Sequence, residues 1–252
     1  MTEKKGENVA ETLKHAMVLA AGKGLRMRPL TEKTPKPMLA LNGQPLIDHV
    51  LDRLADTGVI EAVVNTHHLS EQIERHLSAR PSPKILLSKE VKLLETGGGI
   101  KNALNKLGDK PFFAVNTDVF WLNGPSDALG RLSNIWDPEK MDALLLLHST
   151  INAYGYSGKG DFNCDPSGQL SRRPESEVVP WLFTGIQILK PEVLLGMPEG
   201  PFSLNLVFDH LLETDRLYGV IHDGEWFHVG TPEGLAEAEA YLKVRYPIVK
   251  HR

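Results

Sequence analysis

A chain of 252 residues with 41% hydrophobic content can bury one large core or two modest ones, and α/β domains of this size commonly form single units. The formal charge of -4 removes the broad electrostatic grip that nucleic acid binding needs, so any phosphate chemistry must be local. A single cysteine, Cys164, excludes an intrachain disulfide, no Cys/His cluster has zinc-ligand spacing, and no stretch matches a signal peptide or the ~18 to 20 apolar residues of a membrane span, which together read as a cytoplasmic protein.

Residues 1–14 read as a charged N-terminal extension. From His15 the pattern alternates: AMVLAAG, EAVVNTH and KILLS read as strands, and PLIDHVLDRLADTG and SEQIERHL as the helices between them. That order implies βα units and a mostly parallel sheet. A helix through IKNALNKLG, a strand PFFAVNTD, a helix near SDALGRLSNI and a strand DALLLLH continue the series, giving five strands of a doubly wound sheet by residue 148. Residues 154–190 break the rhythm with Gly-rich and Pro-rich turns and end in WLFTGIQILK; they read as mixed or antiparallel β laid beside the main sheet. Residues 203–214 read as a helix, RLYGVIHDG and EWFHVG as strands, and TPEGLAEAEAYLKV as a closing helix that Thr231 caps and Pro232 opens. No repeat, low-complexity tract or linker divides residues 15–252, which read as one domain.

The segment LAAGKGLRMRPLTEKTPKP, residues 19–37, follows the first strand directly. Gly22 and Gly24 let the backbone turn sharply and approach a phosphate, and the N–H groups of such a loop point at anions. Arg26, Arg28 and Lys36 add positive charge. The string lacks the later glycine, lysine and hydroxyl of a P-loop and the third glycine of a dinucleotide fingerprint. Farther on, LETGGG (residues 94–99) sits at the start of a helix, where N–H groups have no intrahelical partner. Asn116-Thr117-Asp118 ends the strand PFFAV, at the edge where open α/β sheets present ligands, and Asp118 there can hold a hard cation through oxygen. GKGDF at 158–162, FTGI at 183–186 and WFHVGT at 226–231 stand out in the second half.

Leu19 to Gly22, Gly24, Arg26, Pro35 and Lys36 together resemble the signature of the sugar-1-phosphate nucleotidyltransferases. The resemblance runs over residues 15–245 and implies a GT-A-like, Rossmann-like three-layer α/β sandwich, with a nucleotide half over residues 15–150 and a smaller mixed β sugar half over residues 151–245. It implies Mg²⁺-dependent in-line attack of a sugar 1-phosphate on the α-phosphorus of a nucleoside triphosphate. Preorganised cations and N–H donors would lower that barrier by position and charge. In those terms Arg26 serves the β and γ phosphates, Lys36 bridges the α-phosphate and the incoming phosphate, and Asp118 ligates the metal. Leu19, Ala20, Ala21, Gly22, Gly24, Glu95, Gly98 and Asn116 contact the nucleotide, and Gly158, Asp161 and Gly185 the sugar. His228 stands where the family's W-x-D-V-G-T segment carries a second metal carboxylate. An imidazole suits Mn²⁺ or another softer divalent ion better than Mg²⁺. Asp223 and Glu225 are candidates for the missing charge, and orienting a water or phosphate is the alternative task for His228.

LETGGG, GKGLRMRPLT, GKGDF and FTGI look most like uridylyltransferases that act on N-acetylmuramate α-1-phosphate in peptidoglycan recycling, which makes UTP and that sugar phosphate the expected partners of a monomer or homodimer. Lys159, Arg172 or Arg173 would then face the lactyl carboxylate. Mannose-1-phosphate guanylyltransferases share most of these blocks. A catalytically silent nucleotide-sugar sensor and a glycosyltransferase on the same architecture are the other readings. His67 and His68 read as loop or packing residues, Trp181 and Phe183 as core.

Overall fold

The computed structural model describes residues 13–246, so the N-terminal extension lies almost wholly outside the described residues. β1 (His15–Leu19) buries Ala16, Met17 and Val18 completely, as a strand covered on both faces must. The chain then makes 3-10 turns at Leu25–Met27 and Lys36–Met38, forms the short pair β2 (Ala40–Leu41) and β3 (Gln44–Pro45), and enters α1 (Leu46–Asp56). Next are β4 (Glu61–Thr66), α2 (Ser70–Leu77), β5 (Lys84–Lys89) and α3 (Glu95–Leu107). β6 (Phe112–Asn116), β7 (Val119–Leu122), α4 (Ala128–Ile135) and β8 (Ala143–Ser149) follow. The second half holds β9 (Phe162–Cys164), β10 (Leu170–Arg172), β11 (Trp181–Leu189), α5 (Asn205–Glu213), β12 (Leu217–Ile221), β13 (Glu225–His228) and α6 (Pro232–Arg245).

In the main sheet β5, β4, β1 and β6 lie side by side and parallel, β11 runs antiparallel between β6 and β8, and β12 lies parallel to β8. Ala16 and Val18 pack in one core with Ile47, Ile73 and Leu129 from α1, α2 and α4. Met17 packs in the other with Ile100 of α3 and Phe208 of α5. The period-two alternation of side chains along a strand thus feeds two helical layers, giving the expected three-layer α/β sandwich with a mostly parallel sheet. A smaller cluster of Phe120, Phe227, Ala238 and Leu242 seats α6 on β7 and β13. Thr231 caps α6, its Oγ1 accepting the Gly234 N–H at 3.2 Å.

Three local features depart from the sequence reading. WLFTGIQILK does not lie beside the main sheet: as β11 it is inserted within it, reversed, and it separates β8 from the four parallel strands. An apolar run buried on both faces looks the same in sequence wherever it sits in the strand order. Residues 119–122 form β7, which pairs antiparallel with β13 outside the main sheet. α3 begins at Glu95, within LETGGG, but the N–H groups of Gly97 and Gly98 are not left open, because both donate to the Phe202 carbonyl at 3.0 and 3.1 Å.

The absent side chains at the start of α3 admit residues 200–202: a Cβ on Gly97 would fall 2.3 Å from the Phe202 ring, and one on Gly98 2.2 Å from the Gly200 carbonyl oxygen. Gly98→Ala is therefore expected to cost about 1–3 kcal/mol, because backbone cannot move aside as a flexible side chain does. For a domain of this size that is a fall of ~2–4 °C in Tm per kcal/mol. Gly196→Ala, where an added Cβ meets nothing within 4 Å, is the control and should shift Tm by less than about 2 °C.

Candidate active site

The C-terminal ends of β1, β4 and β6 meet at one edge of the sheet, where an open α/β architecture leaves room for a ligand. Leu19 at the end of β1 with Ala20 to Gly22 after it, Lys36 from the second 3-10 turn, Asn116 at the end of β6 and Asp118 beyond it line a cleft of about 380 Å³, with Glu95 and Thr96 at the start of α3 as its far wall. A second cleft of about 370 Å³ is lined by Arg26, Gly158, Gly185 and His228 with Tyr156 and Phe183. Asn116 and Asp118 line both, so the two clefts meet at the end of β6.

Lys36 Nζ donates to Asp118 Oδ2 at 2.8 Å, and an Arg26 guanidinium nitrogen stands 4.0 Å from the same oxygen. The Lys36 side chain is 14% exposed and that of Arg26 67%, so the ammonium is set in place while the guanidinium can swing. Burial by itself would raise the Asp118 pKa. The charge and hydrogen bond of Lys36, aided by His228 and Arg26, outweigh burial and hold the carboxyl below its usual range.

His228 reaches this point through strand register. It stands opposite Val119 in the β7–β13 pair, its N–H donates to the Tyr154 carbonyl, and the next N–H, of Val229, donates to the Asp118 carbonyl at 2.9 Å. Gly230 keeps the approach open, since a Cβ there would lie 2.6 Å from His228 Nε2 and 3.3 Å from Asp118 Oδ2. Burial pushes the His228 pKa down; Asp118 opposes this, and Arg26 and Lys36 reinforce it. The ring is neutral at pH 7 and offers one nitrogen as an acceptor.

The described residues contain no group of three or more His, Cys, Asp or Glu side chains that would enclose a metal ion. Asp118 with His228 beside it is a sparse donor set. That set fits a hard cation which keeps most of its shell as water and substrate phosphate oxygens, with Asp118 as its oxygen ligand. It does not fit an ion held wholly by protein.

Some expected site residues have other tasks here. Gly24, Gly98 and Asp161 line neither cleft. Gly24 holds φ +63 at the start of the first 3-10 turn, with its carbonyl taken by Thr31 Oγ1 at 2.7 Å, and so shapes the turn that carries Arg26. Gly98 packs on the Gly200 carbonyl. Asp161 Oδ2 accepts the Phe183 N–H at 2.8 Å, which fixes the start of β11. Arg172 pairs with Asp209 at 2.7 Å and lies over the Phe162 ring, while Arg173 donates to the carbonyls of Gly160, Pro174, Glu175 and Glu177; neither these nor Lys159 lines a cleft. Asp223 pairs with Arg131 at 2.8 Å, and Glu225 stands opposite Leu122 at the far end of β13, so neither supplies the carboxylate missing at His228. His67 and His68 bond to the Glu90 and Thr31 carbonyls as loop residues. Trp181 packs on the core, but Phe183, also against the core, reaches the second cleft.

The sequence reading passed over Asn65 and Tyr156, which line the clefts, and gave no contact role to Trp226 of WFHVGT, which lines the second, or to Thr117, whose Oγ1 donates to the Leu19 carbonyl at 2.8 Å. Asn65 carried a usable signal: it interrupts an apolar strand at the ligand edge, in register with Leu19.

The chain matches the family described as nucleotidyl transferase over residues 15–244. It is 42% identical to the N-acetylmuramate alpha-1-phosphate uridylyltransferase of Caulobacter vibrioides (strain ATCC 19089 / CIP 103742 / CB 15), covering 93% of this chain and 99% of that protein. Identity to the protein of the same name from Neisseria meningitidis serogroup B is 37%, over 89% of this chain and 96% of that one. Mannose-1-phosphate guanylyltransferases are more distant relatives. Among solved structures, UDP-glucose pyrophosphorylase complexed with UDP-glucose superposes with a TM-score of 0.76 at 17% identity, over 92% of this chain and 100% of that one.

Lys36→Met is expected to destabilise the fold by about 1–3 kcal/mol at pH 7, because it strands a largely buried carboxylate. The sign reverses the wild-type dependence. In wild type the Asp118 pKa is depressed, so the pair stabilises above the usual carboxylate range and loses that contribution as pH falls through the folded pKa. Without Lys36 the dominant remaining influence is burial, which raises the pKa, and the gap between variant and wild type should close as acid neutralises Asp118. Urea unfolding at pH 7 and pH 4 measures this; a gap that widens toward acid contradicts it.

Proposed function

The chain belongs to the nucleotidyl transferase family, matched over residues 15–244, and on that premise we propose that it transfers a uridylyl group from UTP to N-acetylmuramate α-1-phosphate, releasing pyrophosphate. The observation that carries the reading is the pair of clefts that share Asn116 and Asp118. A triphosphate in the first and a sugar phosphate in the second would meet at Asp118. The names of the two relatives at 42% and 37% identity support the choice of base and sugar. The product is an activated sugar of the kind that peptidoglycan recycling would return to use.

In this reading an oxygen of the sugar phosphate attacks the α-phosphorus in line, and the bond from that phosphorus to the pyrophosphate oxygen breaks. Lys36 leaves Asp118 for the α-phosphate and the incoming phosphate, holding two anions together. Arg26 swings from its exposed position to the β and γ phosphates, where its planar fork can bind bidentately. The loop at Ala20 to Gly22 lies along the phosphates, Glu95 and Thr96 face the base, and Gly158 and Gly185 leave room for the sugar. Asp118 would hold Mg²⁺, which when bound neutralises charge on the phosphate oxygens. His228, neutral beside it, would orient a water or phosphate through a hydrogen bond, or would ligate a softer ion in place of Mg²⁺. Both clefts are lined within one chain, so a monomer suffices. Among the described residues no helix is long and apolar enough to cross a membrane, and a triphosphate substrate favours the cytoplasm.

Pyrophosphate release from UTP, GTP, CTP and dTTP, each against N-acetylmuramate, mannose and glucose 1-phosphates with Mg²⁺, tests the assignment. The UTP and muramate pair should exceed every other by about tenfold or more in kcat/KM, a difference near 1.4 kcal/mol. Turnover confined to GTP with mannose 1-phosphate, or binding with no turnover, overturns it. Arg26→Ala and Lys36→Ala should each lower kcat/KM by about 10² to 10³, the scale for removing a preorganised charge from developing phosphate charge.

A further inference from the structure

A buried chain of hydrogen bonds joins the two walls of the first cleft. Asn65, 2% exposed, accepts the Ala20 N–H on Oδ1 at 2.7 Å and donates from Nδ2 to Glu90 Oε1 at 2.7 Å. Glu90, 4% exposed, accepts the Leu94 N–H on Oε2 at 2.9 Å. Ala20 belongs to the loop after β1, and Leu94 immediately precedes Glu95 and Thr96 of the far wall. The backbone of Glu90 is held at both ends as well, its N–H donating to the Thr66 carbonyl at 2.8 Å and its carbonyl bonded by His67 Nδ1 at 2.9 Å.

Burying a carboxylate is costly unless its oxygens are used. Here the groups at its two ends, the Asn65 amide and the Leu94 N–H, are both donors. A glutamine accepts at one end only, whereas a carboxylate accepts at both. The chemistry of the position therefore selects Glu over its isostere. Gly99 provides the clearance, since a Cβ there would lie 2.7 Å from Asn65 Nδ2 and 2.8 Å from Glu90 Oε1. The third glycine of LETGGG is thus accounted for by this chain of bonds.

We propose that Glu90 is a positioning residue for the nucleotide: through Asn65 and Leu94 it sets the distance between the loop at Ala20 to Gly22 and the wall at Glu95 and Thr96. It touches no substrate atom, and its effect is on nucleotide affinity. The assignment rests on reading the first cleft as the nucleotide half.

Three variants test it: Glu90→Gln, Asn65→Asp and the double Asn65→Asp/Glu90→Gln. The first places an NH₂ against a donor whichever way it turns, and the second sets two carboxylates face to face. In the double variant the introduced aspartate accepts from Ala20 and from the introduced glutamine amide, whose oxygen accepts from Leu94, so every bond returns with the charge moved by one residue. Each single variant should raise the KM for UTP about tenfold or more, with the sugar-phosphate KM and kcat within about threefold, and the double should return the UTP KM to within about threefold of wild type. A merely structural role would lower Tm and leave that split unmoved. Single variants with a wild-type UTP KM overturn the proposal, as does a double variant that fails to fold or folds without regaining affinity. If wild type uses GTP instead, only the substrate assignment falls, and the same comparison is read with GTP. If wild type turns over no triphosphate, the functional reading fails and this assignment with it.

Discussion

The contact of 2.8 Å between Lys36 and Asp118 is the constraint around which the site is built. A carboxylate at the end of a buried strand does not stay ionised in apolar surroundings without a cation beside it. Lys36 supplies that cation from a turn seventeen residues past the end of β1, so the long loop after the first strand must fold back across the sheet edge. With Arg26 also near, the resting site carries more positive than negative charge around Asp118. An arriving anion finds the Lys36 ammonium already ordered, and less of that side chain's entropy is lost on binding.

Two departures from a simple parallel sheet place that carboxylate between two clefts. β7 leaves the main sheet directly after Asp118 and pairs with β13, and this register, with His228 opposite Val119, determines which late residue meets the carboxylate. β11 runs against its neighbours and shifts register between Phe183 and Gln187, with Gly185 at φ +83 in the shift. A Cβ on Gly185 would stand 2.9 Å from Asn116 Nδ2, so the residue that bends β11 also lets it close on the end of β6. The reversed strand thereby forms the wall of the second cleft.

What the sequence disclosed follows from the range over which each signal acts. Alternating βα units, the loop after β1 and the strand-end Asn116 and Asp118 are local patterns, and they were legible because local propensity and burial agree there. The resemblance then linked Arg26, Lys36 and Asp118 across the chain, and the structure brings them together. Strand order was not legible, because β11 has the composition of any fully buried strand. The task of Asp161 was hidden too: a carboxylate that accepts one backbone N–H of β11 reads in sequence like one that faces a sugar. Arg172 and Arg173, named as candidates for the lactyl carboxylate, were ambiguous for a related reason, since a basic residue gives no sign in sequence that nearby carbonyls and Asp209 will claim it.

The start of α3 shows how far long-range contacts can override local cost. Glu95 adopts φ +61, a left-handed conformation that costs a non-glycine residue about 1–2 kcal/mol. Three independent contacts surround it. Gly97 and Gly98 donate to the Phe202 carbonyl, Leu204 N–H donates to Thr96 Oγ1 at 2.9 Å, and Leu94 N–H is held by Glu90. Each hydrogen bond contributes about 1 kcal/mol net, so together they offset the strain. They also fix the direction in which the helix begins, and hence where Glu95 stands in the cleft. Three consecutive glycines in a helix would ordinarily signal flexibility; here each one admits a different neighbour, and the result is a turn held from several sides.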